Sequence, residues 1–150
     1  ALKERNIEYV CLGKELGARS KEPACYEDGR VRCERVAETA LFLSGIERVL
    51  RGTGEYTVAL MCAEKDPIDC HRAILVARKL TELGVAVSHI LADGALESHC
   101  GLESRLLATF RLPEGDMFRS RSDCVSEAYL LQAGRMAYRK DGANRGRETV

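Results

Sequence analysis

The stretch that most limits the fold of this chain is residues 57–91. TVALMC (57–62) is a continuous apolar run with β-branched members, the pattern of a strand covered on both faces. VAVSHIL (85–91) is a second such run. Between them, residues 67–83 carry the marks of a helix. Asp66 is a good N-cap, Pro67 suits the first helical position, Asp69 puts negative charge at the positive end, and Gly84 is a natural stop. Strand, helix and strand in succession make a βαβ unit, which demands parallel strands and a right-handed crossover. With IEYVC (7–11) as a further strand, the expectation is an α/β, three-layer domain. It would have a mainly parallel sheet and flanking helices, Rossmann-like or flavodoxin-like.

The remaining segments fit around that unit. YEDG (26–29) and ADG (92–94) read as turns. A helical pattern covers 34–51, with Gly45 as its expected break. Residues 102–110 are expected to be helical. Residues 112–121 read as a linker, and 122–139 as an amphipathic helix with Val125, Tyr129 and Met136 on one face. The last residues, KDGANRGRETV, have the composition of a frayed tail. The division is therefore an α/β domain over 1–112 and, over 113–150, a linker, a helix packed on the same domain and a tail. The opening ALKERN reads as the end of a helix running straight into a strand. The expectation is that an N-terminal strand and helix belonging to the fold are missing.

Charge and composition exclude several classes. Lys plus Arg balances Asp plus Glu at 23 each, so nucleic acid and anionic membrane surfaces are not indicated. No apolar run approaches the roughly 20 residues that span a bilayer, and no signal region is seen. The seven cysteines then read as reduced thiols of a cytoplasmic protein, without structural disulfides. The bland account of most of them is packing as small apolar residues.

In an open parallel sheet, ligands bind beyond the carboxyl ends of the strands. That edge would gather three loops, carrying Arg19, then Cys62, Glu64 and Lys65, then Asp93 and His99. Cys62 stands where a strand gives way to a helix N-terminus, a place that favours a thiolate. A helical wheel turns Cys70, Ala73, Ile74, Ala77 and Leu80 inward, and His71, Arg78 and Glu82 outward. The roles assigned are Cys62 as nucleophile or soft ligand, Glu64 as proton-transfer or orienting group, Arg72 and Arg19 as anion contacts, and His99 as acid or base. Cys70 and His71 are further ligand-binding candidates. The reading is a cysteine-dependent enzyme of sulfur or phosphoryl chemistry, or an anion-binding pocket for a small anionic ligand. The alternatives are a non-catalytic ligand- or nucleotide-binding module, a purely structural signature, and a metal-binding protein using Cys62, Cys70, His71 and His99. No metal is assigned and the cofactor is left unknown; a homo-oligomer is compatible with the sequence.

The same residues carry a resemblance. LMCAEKDPIDCHRAIL (60–75), followed by GVAVSHILADG (84–94) and ESH (97–99), resembles the family known as domain of unknown function 488. IEYVCLGKELGARS (7–20) fits it too, and the resemblance covers about residues 3–110. It implies an α/β fold and a bacterial or archaeal cytoplasmic protein. It implies no reaction, since none is assigned to the family. Members of the family begin with a strand bearing Gly-His-Ser and a second bearing Asp-Val-Arg; neither element is present here.

Overall fold

The structure, a computed structural model, describes residues 2–139. The tail expected over 140–150 lies outside the described residues. The chain starts with a 3₁₀ turn, Lys3–Arg5, closed by Asn6 in the left-handed conformation. A second 3₁₀ turn, Pro23–Cys25, leads into a hairpin of β1 (Tyr26–Glu27) and β2 (Arg30–Val31). Asp28 and Gly29 both have positive φ, 49° and 73°. That is the two-residue turn whose twist matches antiparallel strands, so the turn expected at 26–29 is present.

The helical stretch expected at 34–51 is present but breaks elsewhere. It comprises α1 (Cys33–Val36) and α2 (Ala40–Thr53). The break falls at Thr39, whose hydroxyl accepts from the Phe42 amide at 3.2 Å and so caps α2. Gly45 does not interrupt α2. A Cβ there would sit 2.7 Å from Glu15 Cβ and from Leu16 Cδ2, so glycine is the residue that lets the loop at 12–16 lie on the helix.

The segment after residue 66 is more broken than its periodicity suggests. Asp66 does cap, accepting from the Ile68 amide at 3.0 Å, but what it caps is a single 3₁₀ turn, Pro67–Asp69. Cys70 is extended (φ −121°, ψ 132°) and ends that turn. The chain then resumes as a π-helical stretch, Arg72–Ala77, which continues into α3 (Arg78–Glu82). Ala73, Ile74, Leu75, Val76 and Ala77 are all buried, so the wider winding lies inside the molecule.

A second hairpin pairs β3 (Ser88–Ile90) with β4 (Leu96–Ser98), antiparallel, with His89 opposite Glu97. Its turn contains Asp93, which accepts from the Ala95 amide, and Gly94 at φ 86°. α4 (His99–Phe110) is capped by Ser98, and α5 (Arg121–Met136) by a reciprocal Ser120–Asp123 capping box. Phe42, Ile46, Ile74, Leu80, Leu106, Leu107, Val125 and Tyr129 form one core among α2, the π-helical stretch, α3, α4 and α5.

The parallel sheet expected from the βαβ pattern is not there. The described residues contain only two antiparallel two-stranded sheets. Neither 7–11 nor 57–62 forms a strand, and of 85–91 only Ser88–Ile90 does, in a hairpin. The reason is where the apolar side chains go. All of 7–11 is exposed, with Tyr9 at 68%, and of 57–62 only Leu60 packs on the core while Met61 is 84% exposed. An apolar run read by pattern is compatible with a two-face-buried strand, but burial requires a neighbouring strand and a covering layer. Here the helices satisfy each other's apolar faces without either. With the sheet goes its carboxyl edge, the premise on which three loops were expected to converge. Among the described residues no helix is long and apolar enough to cross a membrane.

Candidate metal centre

The loop from 62 to 72 folds back on itself and brings its two cysteines together. Cys62 is exposed and directs its Sγ to Glu64 Oε2 at 2.6 Å. Cys70 is fully buried and its Sγ accepts from the Arg72 amide at 3.3 Å. One ligand atom from each of Cys62, Glu64 and Cys70 lies within 4.8 Å of the others. The extended backbone at Cys70 makes this possible. It interrupts the helix that would have carried residues 67–83 as one rigid rod.

Three contacts hold the loop. The Arg72 guanidinium donates from Nη1 to the Leu60 carbonyl at 3.2 Å, joining the two ends. Arg105 of α4 grips both Asp66 carboxylate oxygens at 2.9 Å and also binds Glu97 at 2.9 Å. Gln132 of α5 donates to the Ile68 carbonyl at 2.8 Å and to Asp69 at 3.1 Å.

The electrostatics follow from this layout. The Cys62 thiol, donating to it, holds the Glu64 carboxyl below the usual carboxylate range. Burial, and then the neighbouring Cys62, push the Cys70 thiol up to about 12. Burial lowers the His71 imidazole, with Glu64 opposing. The Arg105 hydrogen bond holds the Asp66 carboxyl low. A carboxylate and two thiols thus converge, donor types that soft divalent metals accept.

The residues expected at the site divide. Cys62, Glu64 and Cys70 converge. Arg72 sits beside them, but its guanidinium serves the Leu60 carbonyl. His71 is half-buried, with Nε2 buried and without a hydrogen bond. Arg19 lies over the Tyr138 ring at 4.6 Å. His99 is not part of the cluster. It is 5% exposed at the start of α4, its Nδ1 paired with His89 Nε2 and its Nε2 with the Tyr129 hydroxyl, both at 2.9 Å. Arg105 and Gln132, which brace the loop, were not foreseen. Each reaches it from a distant helix, and no local pattern marks such a partner.

The family model described as domain of unknown function DUF488 matches residues 1–79, which include the whole 62–72 loop. The match is shorter than the resemblance read from the sequence. No curated protein and no solved structure matches the chain. With just over half of its length, and the entire candidate centre, inside the match, the chain belongs to the DUF488 family.

Proposed function

We propose that this protein binds a thiophilic divalent metal ion, of the zinc type, through Cys62, Glu64 and Cys70. The observation that carries the reading is the convergence of the three donor atoms within 4.8 Å. Zinc takes sulfur at about 2.3 Å and carboxylate oxygen at about 2.0–2.2 Å. A tetrahedral ion therefore holds its ligand atoms roughly 3.5–4 Å apart, which this loop reaches by small side-chain rotations. The metal also answers the cost of the buried thiol, because coordination removes the proton that burial otherwise retains on Cys70. Three protein ligands leave a fourth position. A closed structural site uses four protein ligands, whereas an open position admits water or a small anionic ligand. Cys62 and Glu64 are exposed, so an ion held by them would be accessible to solvent.

The second reading keeps Cys62 as a nucleophile with Glu64 accepting its proton, and rests on the same Sγ–Oε2 contact. The two are separable. Reduced full-length chain titrated with Co²⁺ should take up one equivalent and show thiolate-to-cobalt charge-transfer absorption. Cys62→Ser and Cys70→Ser should abolish that band, and Glu64→Gln should weaken binding at least tenfold. Zinc should protect Cys62 from iodoacetamide. Absence of stoichiometric cobalt binding in folded protein would defeat the metal reading. Cys62 alkylation at the same rate with and without zinc would favour the nucleophile.

A further inference from the structure

A groove of about 590 Å³ runs between β2 and the C-terminal end of α5, away from the cysteine loop. Arg30, Arg135 and Arg139 line it, and no acidic residue does. Arg30 and Arg139 are brought together by an antiparallel bridge, supported by the Val31 amide donating to the Tyr138 carbonyl at 3.0 Å. The Arg135 guanidinium carbon lies over the Phe110 ring, 4.2 Å from its centroid. Among the described residues none of the three is ion-paired, although this chain carries as many carboxylates as cations. Glu27, opposite Arg30 in the hairpin, is engaged by Arg32 at 3.2 Å and Arg35 at 2.9 Å. Glu34, beside the groove, is engaged by Arg32 at 2.8 Å. Three arginines thus line one space with their nearby counter-charges spent on others.

The second observation is Gly134. It lies inside α5, where glycine is the poorest helix former after proline. Its φ is not positive, so the backbone does not call for glycine. A Cβ there would meet nothing within 4 Å, so packing does not call for it either. What a side chain at 134 would do is occupy the groove.

We propose that this groove is a binding site for a diphosphate-bearing small molecule, with Arg30, Arg135 and Arg139 as its charge contacts and Gly134 as its floor. A diphosphate carries nearly the charge that three guanidiniums offer. Its paired terminal oxygens suit the planar forks of arginine, which bind phosphate in bidentate fashion. The cation–π contact with Phe110 positions Arg135 beside the groove without neutralising its charge. The site is independent of the metal reading.

The test is calorimetric titration of the full chain with inorganic pyrophosphate, in low salt with chelator present so that no metal at Cys62 contributes. Saturable binding of one equivalent is expected, weakening as salt is raised. Gly134→Leu should reduce affinity at least tenfold while leaving the thermal midpoint unchanged or higher. Arg135→Gln should reduce it comparably. No saturable binding by the unaltered chain would overturn the proposal. So would binding that survives both substitutions in folded protein, since that would place the pyrophosphate elsewhere.

Discussion

Arg105 shows how one side chain can hold a loop it is far from in sequence. Its guanidinium joins Asp66, which caps the 3₁₀ turn within the cysteine loop, to Glu97 on β4. About a third of the Arg105 side chain is exposed, so solvent screens these pairs and their worth is modest. Replacing Arg105 with Ala should lower stability by about 1–2 kcal/mol in urea unfolding. The larger effect should appear at the metal centre. With Asp66 released, cobalt affinity should fall although no ligand has changed, and an unaltered cobalt titration would show that the loop needs no such brace. Nothing near Arg105 in the sequence announces this role. Cys62, Glu64 and Cys70 were legible as chemistry-bearing residues because they crowd into nine positions. Cys62 and Cys70 were also legible as members of one ligand set, but Glu64 as the third donor, in place of His71 and His99, was not, because a helical wheel assumes an unbroken helix and Cys70 breaks it.

At the level of elements, the features governed by neighbouring residues were readable and those governed by distant partners were not. The Asp28–Gly29 turn, the Asp66 cap and the helices over 40–53, 99–110 and 121–136 each depend on a few adjacent residues. Strand pairing depends on a second segment, and the runs at 7–11 and 57–62 do not find one among the described residues. Two glycines in helices show how packing sets the sign of a local rule. Ala is favoured over Gly inside a helix by about 1 kcal/mol. Gly134→Ala, with open space around its Cβ, should collect roughly that amount. Gly45→Ala meets Glu15 and Leu16 at 2.7 Å, and overpacking of about 1–3 kcal/mol should outweigh the helical gain. Denaturant midpoints of the two variants should move in opposite directions; a shift of both upward would show that the loop at 12–16 yields freely.

For the molecule as a whole, a polar chain runs through the core of the described residues. His89, 4% exposed, contacts His99, which contacts Tyr129, and Glu103 stands beyond. Burial, and then the neighbouring His99, lower His89 to about 4; burial also lowers His99. The groups facing them are mixed: Glu97, Arg72 and Arg105 around His89, Glu103 and Arg78 around His99. A histidine held neutral in the fold binds its proton more readily when unfolded, so acid favours unfolding. The stability this provides is complete above the unfolded value of about 6.5 and is lost as pH falls from there toward 4. Unfolding free energy should drop by about 2–3 kcal/mol across that window. His89→Phe should flatten the dependence, and an equally steep slope in that variant would assign the acid sensitivity to other groups.

The π-helical stretch at 72–77 has a geometric consequence for the cysteine loop. A helix wound this way takes in an additional residue over its length compared with an ordinary one. Were the stretch rewound as an α-helix, one residue would be left over. Everything before it would then swing by about 100° around the axis relative to α3. Cys70 would turn with it, away from its buried place in the core. Since 73–77 are buried on every side, that rewinding requires the core to be emptied and refilled. The azimuth of the buried sulfur is therefore a matter of helical phase, locked by hydrocarbon contacts around 73–77 more than by the one hydrogen bond it accepts from the Arg72 amide.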